Sequence, residues 1–324
     1  MAYTGTGASL QIGKESSWGS AAAGAKNANI TSESIKLNAN KVVEDTLIAS
    51  VAPSSYMLMG LDASGDFSGI LKPENAGYLL HLAVGGTDTV STNTPVSGAH
   101  THSIVAATAS GTLPSFTTIV DRRASIVKYT GCKIDTFTLE AAAADFVKYT
   151  ASIKAKDESS GSLASLTALS LASFKTTSGT FTVGGTPHAA KSVKVTIANK
   201  LEDIGQTYGS GLYKGEPIHG TREITLEMDL NYETATETIN TTNYQTDVVL
   251  GDLVLTLYST SYVTGTTPYS IVITIKNAQV TGVERNVSGA GVITSKVTAK
   301  ATSVSTTAPI TVAVVDAQSA AYSA

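Results

Sequence analysis

The chain has 324 residues, more than the roughly 250–300 at which one hydrophobic core usually stops growing, so two domains are expected, and 42% hydrophobic residues exclude a wholly disordered chain. Only 15% of residues are charged, against about 25% in a usual soluble domain, so Thr, Ser, Asn and Gly must cover much of the surface. A net charge of −4 argues against a general nucleic-acid-binding surface, and a single Cys excludes an internal disulfide framework or a Cys-rich metal site.

Residues 1–33 read as an arm of small residues with no basic segment leading into an apolar one, so no secretory signal is expected and the chain is expected to be made and folded in cytosol. Residues 34–45 alternate apolar and polar as a strand does, and residues 44–64 follow as a long loop carrying Tyr56, Met57, Leu58 and Met59. A helix is expected over 73–84: Pro73 suits a first turn, Glu74 suits the positive end, and Gly85-Gly86 stops it. The apolar run 78–84 falls far short of the ~20 residues that a membrane span needs, so no membrane partner is expected. Residues 87–112, rich in Thr, Ser and Gly, read as an insertion. Strands follow at 133–139 and at 147–155, where Val147, Tyr149, Ala151, Ile153 and Ala155 share one face. After a linker at 158–190, strands are expected at 192–197, 253–258, 270–275, 279–285 and 293–301, with β-branched residues adding weight. A second loop, 202–220, carries Tyr208, Leu212 and Tyr213, and a weaker, Thr-rich helix spans 232–244. Residues 304–324 form an extension that, like the arm, is expected to gain order on assembly.

Two stretches repeat. Residues 34–45 align without a gap on 192–203, 158 positions on, with Ser, Lys, Glu and Asp coinciding. Residues 133–139 and 147–155 match 279–285 and 293–301 in alternation, 146 positions on. A helix candidate lies between the matched strands in both halves. The period is too long for a solenoid, so the chain reads as two tandem domains of one fold, 34–157 and 191–303.

Particular phrases carry a resemblance. They are Gly69-Ile-Leu-Lys-Pro-Glu-Asn-Ala-Gly-Tyr-Leu-Leu80, Tyr129-Thr-Gly-Cys-Lys-Ile-Asp135, Tyr149-Thr-Ala-Ser-Ile-Lys-Ala-Lys-Asp157, Ile197-Ala-Asn-Lys-Leu-Glu-Asp203 and His219-Gly-Thr-Arg-Glu-Ile-Thr-Leu226. Over residues 30–303 the sequence resembles the tail tube (major tail) proteins of long-tailed bacteriophages, in the subgroup with two tandem tube domains. The resemblance implies a mainly β fold: two β-sandwich or partly closed barrel domains, each with one flanking α-helix. It also implies a virion protein without cofactor. Three chains would supply six domains to a ring with pseudo-six-fold symmetry, and rings would stack into a hollow tube passing double-stranded DNA. Tail terminator, tip or baseplate, and tape measure proteins would be its other partners. By the same resemblance Tyr56, Met57, Leu58, Met59, Tyr208, Leu212 and Tyr213 belong to loops reaching the next ring or subunit.

Physical arguments run alongside. Exposed strand edges must be covered, and closing sheets into a ring covers them. Low charge suits a surface buried against neighbours. Duplex DNA carries about one negative charge per 1.7 Å, so a neutral or acidic lumen would let it slide. Asp135, Glu140, Asp145, Glu227, Asp229 and Glu284 are the candidate lumen-facing acidic residues, each also readable as part of a solvated strand face.

Signals for catalysis are weak. His100 and His102 have no evident third metal ligand and read as a solvated pair. Cys132 reads as a small buried residue, and Asp121-Arg122-Arg123 as a charged turn making an ion pair. No P-loop and no Gly-x-Ser-x-Gly elbow occur. Two other classes stand as alternatives: a cell-surface or fibre protein such as an adhesin or surface-layer subunit, which would share the Thr/Ser-rich β composition, and a polysaccharide-active or lectin-like β enzyme. A secretion signal and clustered aromatics, respectively, would favour them.

Overall fold

The computed structural model describes residues 3–44, 55–93, 98–106, 112–287, 291–302 and 308–323. The fold is mainly β. The arm supplies β1 (Ser9–Lys14), β2 (Lys26–Ala28) and β3 (Ile30–Glu33). Next come the antiparallel pair β4 (Lys36–Glu44) and β5 (Ser55–Ile70), α1 (Pro73–Val84), and the pair β6 (Thr87–Thr92) and β7 (His100–Val105). β8 (Phe116–Asp121), β9 (Ile126–Ala142), β10 (Lys148–Ala155) and β11 (Asp157–Ser160) complete the first half. β12 (Lys175–Val183) and β13 (Thr186–Pro187) precede β14 (Ala190–Ala198), the two-residue strands β15 (Leu201–Glu202) and β16 (Ile218–His219), and β17 (Glu223–Asn231). α2 (Thr234–Thr238) runs into a π-helical turn, Ile239–Tyr244. β18 (Leu253–Thr264), β19 (Thr267–Ile275), β20 (Ala278–Asn286), β21 (Thr294–Ala301) and β22 (Ile310–Asp316) close the chain.

Strand pairing follows one order twice. In the first half β4 pairs β5, β5 pairs β10, and β10 pairs β9. In the second, β14 pairs β17, β17 pairs β21, and β21 pairs β20. β9 also pairs β14, so the two runs make one continuous eight-stranded sheet. The irregularities repeat too. The β9–β10 ladder skips Asp135, and the β21–β20 ladder skips Thr281, which lies 146 positions on. The β3–β5 ladder skips Thr31, and the β14–β17 ladder skips Lys191, 160 positions on. An extra residue flips neither face and bends the strand locally, so its position is a fixed mark on a ladder.

These marks correct the sequence alignment by two residues. Ladder position places Ser192 with Ser32, not with Ser34. A shift of two leaves every side chain on its own face, so apolar alternation cannot detect it.

The inner face of this sheet meets a second, seven-stranded sheet of order β13-β12-β18-β19-β22-β7-β6. Tyr149, Phe137, Val195 and Leu226 from the first and Leu255, Ile273 and Val312 from the second belong to one continuous core. The arm, β8, β11 and the first part of β9 extend the large sheet. β9 bends at Gly131, where φ is +67° and a Cβ would sit 2.8 Å from Lys156 and 2.9 Å from Trp18. α1 packs against strands of both sheets, with Glu74 accepting from the Ser170 and Leu171 N–H groups at 2.8 and 2.7 Å.

Three further expectations are corrected. Residues 55–64 are strand rather than loop; the unbroken apolar run Tyr56–Met59 hid the alternation that marks a strand. Residues 158–190 are more than a linker, since β12 and β13 join the second sheet. Within the described residues 3–33 and 308–323, the arm and the extension pack into the single chain: Leu10 and Ile12 are buried, and β22 lies between β19 and β7 with Ile310, Val312 and Val314 inward.

Candidate assembly surfaces

Away from the outer end of the β4–β5 pair, the outer face of the eight-stranded sheet is mainly polar because period-two alternation sends most apolar residues inward. One row across it runs Ser68, Thr150, Thr138, Thr196, Thr225, Lys300. Another runs Lys148, Glu140, Lys194, Glu227, with Lys194 Nζ 3.7 Å from Glu227 Oε1. A third runs Ser192, Asp229, Lys296, Glu284. Charges alternate in sign across strands, the arrangement that attracts rather than repels neighbours. At its lower rim Glu223 accepts from Lys200 at 2.6 Å and pairs with Lys300, and these hydrogen bonds hold its carboxyl down at about 2.

Of the six acidic candidates, Glu140, Glu227, Asp229 and Glu284 share this face, each opposite a lysine. Asp135 and Asp145 stand apart from those rows. Asp135 is the bulged residue, and its carboxylate accepts from the Leu201 N–H at 2.7 Å. Asp145 lies in the turn after β9, where a hydrogen bond from Lys148 at 2.6 Å lowers its pKa.

The outer end of the β4–β5 pair forms a second surface. Tyr56, Met57, Leu58 and Met59 are 66, 53, 39 and 45% exposed, and Val42 and Val43 opposite them are exposed as well. Four consecutive strand residues point to alternate faces, so both faces of this ribbon are open. Residues 45–54 of the expected first loop lie outside the described residues.

The second loop folds back on β5. The Leu61 N–H donates to the Leu212 carbonyl at 2.8 Å, and Gln206 Nε2 donates to the Met59 carbonyl at 2.7 Å. Lys214 bridges Asp62 and Asp203, and Lys154 reaches Asp203 at 3.0 Å. Burial opposes ionisation of Asp203, but hydrogen bonds from Lys154 and Lys214 outweigh it and lower its pKa. Leu212 and Tyr213 are half-buried in this docking, with Lys156 Nζ 5.9 Å from the Tyr213 ring centroid, whereas Tyr208 stands wholly in solvent.

Sheet edges are the third surface. Among the described residues β4 pairs only β5, and β20 pairs only β21. Alternation in the sequence shows strands but not which of them end a sheet, so these edges had no sequence signal.

The remaining chemistry is structural. His102 is not solvated: it is fully buried, 3.0 Å from Asp88 and 3.3 Å from Asp316, with the Tyr322 ring stacked 4.2 Å away. Burial lowers its pKa, but hydrogen bonds with Asp316, Asp88 and the Gln318 carbonyl outweigh this and hold it up at about 9. The alternating run Ile310–Asp316 was the available sign that this end of the chain would pack. Burial pushes the Cys132 thiol up to about 12, and Arg122 makes a two-pronged pair with Glu33 at 2.8 and 2.9 Å. Among the described residues no group of three or more His, Cys, Asp or Glu is placed to hold a metal ion, and no helix is long and apolar enough to cross a membrane.

No curated protein matches the chain. The family model described as phage tail tube protein matches residues 5–312, nearly the whole length, and the chain belongs to that structural, non-enzymatic family.

Proposed function

We propose that the chain polymerises into the hollow tube of a phage tail, through which genomic DNA passes into the host. Its two modules, 34–157 and 191–303, occupy neighbouring positions in a ring, and three chains complete six positions. The repeated pairing order, joined within one chain through β9 and β14, carries this reading. A sheet already continuous across two modules needs only the same join between chains to close, and closing it covers the edges at β4 and β20.

The polar face of the eight-stranded sheet lines the channel. Its Thr row and its charge rows of alternating sign present no net basic patch to phosphates, so duplex DNA is neither held nor strongly repelled. The β4–β5 ribbon reaches the next ring. Its exposed aromatic and Met side chains are the kind enriched at interfaces. Tyr208 adds to that contact, while Leu212 and Tyr213 fix the second loop against β5. The assembled product is a component of the virion tail, completed by terminator, tip and tape measure proteins.

Electron microscopy of the purified protein tests this. Stacked hollow rings or tubes are expected; thin fibrils, sheets or persistent monomers would overturn it. Replacing Tyr56, Met57, Leu58 and Met59 together with Ser should leave the circular dichroism spectrum unchanged and stop tube growth. Unimpaired growth would remove the ribbon from the inter-ring contact.

A further inference from the structure

The join between modules inside one chain fixes a residue-level register for the join between chains. This inference rests on the tube reading above. β9 and β20 occupy the same place in their halves, as do β4 and β14; β9 and β14 are paired, whereas among the described residues β20 and β4 each end a sheet. The β9–β14 ladder runs Thr138 with Thr196, Phe137 with Ile197 and Thr136 with Ala198, and then the Asn199 N–H donates to the Asp135 carbonyl at 2.7 Å. The shared bulges translate each strand: Asp135 onto Thr281 moves β9 to β20, and Lys191 onto Thr31 moves β14 to the β3–β4 edge.

We propose that β4 of one chain pairs antiparallel with β20 of a second copy, setting Lys36 opposite Glu284, Leu37 opposite Val283 and Asn38 opposite Gly282, with the Ala39 N–H donating to the Thr281 carbonyl. The chemistry of the two edges agrees with this register. Lys36 and Glu284 are exposed, carry opposite charges and make no ion pair among the described residues. Leu37 and Val283 are half-buried apolar residues on the rims of the core, and their counterparts Ile197 and Phe137 are 2 and 1% exposed where the internal join covers them. The pairing begins at Lys36 because Ile35 is already engaged. Its N–H donates to Glu33 at 3.1 Å, and its carbonyl accepts from Tyr129 at 3.0 Å and from Arg122. The gapless sequence alignment would instead set Leu37 opposite Arg285, two residues away.

Two sets of variants test the register in the full chain. The pair Leu37→Cys with Val283→Cys, assembled and treated with a short thiol cross-linker, should give a covalent ladder ending at three chains. The pair Leu37→Cys with Arg285→Cys, one period out of register, should not. Lys36→Glu alone and Glu284→Lys alone should each raise the concentration needed for assembly roughly tenfold, as expected when a cross-strand attraction becomes a repulsion. The double charge swap should restore assembly. Circular dichroism should be unchanged throughout, because these side chains lie at the sheet rims. Tubes that cross-link through Arg285, or through neither pair, overturn the register and leave the tube reading standing. A wild-type protein that remains monomeric overturns both.

Discussion

α1 and α2 occupy the same place in their halves and are covered very differently. Eleven of the twelve residues of α1 are buried, whereas in α2 only Thr236 is. Cover, more than local sequence, makes the difference. Over α1 lie β7 and the C-terminal strand β22 of the second sheet, and Gly77 lets the Tyr322 ring approach so closely that a Cβ there would lie 2.0 Å from its hydroxyl. α2 gains no such layer, and its Thr-rich stretch relaxes into a π-helical turn whose cap N–H, from Gln245, bonds back to the Asn240 carbonyl. Two halves with one ladder order thus diverge in how they are packed: the first is built around its helix, and the second leans on its sheets.

The largest expected difference follows from that packing. Leu79→Ala removes a fully buried α1 side chain and should cost about 2–5 kcal/mol in denaturant unfolding. Thr238→Ala in α2, exposed to solvent, should stay within about 0.5 kcal/mol. Equal costs would refute the contrast.

A second difference is electrostatic. The first half ties β7 to the C-terminal segment through His102, Asp88 and Asp316. His102 has its pKa raised from 6.5 to about 9, so its contribution is fully present below pH 6.5 and is lost as pH rises to about 9. His102→Gln should cost on the order of 3 kcal/mol at pH 6 and flatten this part of the pH–stability curve. A slope that survives the substitution would move the effect to another group. The smallest effect belongs to the docked second loop: Lys214→Ala breaks partly exposed pairs to Asp62 and Asp203 and should cost less than about 1 kcal/mol in thermal unfolding. A larger loss would make the loop part of the stabilising core.

What was legible in the sequence follows the same physics. The bounds of α1 are written in Pro73, Glu74 and Gly85, because proline, an acidic first turn and a left-handed glycine act locally. The 146-residue correspondence of β9 and β10 with β20 and β21 was legible because both pairs carry the same apolar pattern, β9 and β20 breaking step at the same ladder position. The two-residue error in aligning β4 with β14 was not avoidable by alternation, which repeats every two residues. β5 was obscured at Tyr56–Met59, where both faces are apolar because the ribbon leaves the body of the sheet. β22 alternates plainly, but its small-residue-rich surroundings gave no hint of the strands it would join. The acidic candidates were identified one by one; that four of them stand opposite lysines is a property of strand pairing, which only the fold supplies.

The account stands on two modules of each chain sharing one ring. Native mass spectrometry of single rings released from the assembled protein tests it most directly. The mass of three chains is the predicted result, and a ring of six chains would contradict it by showing that only one module of each chain closes the circle.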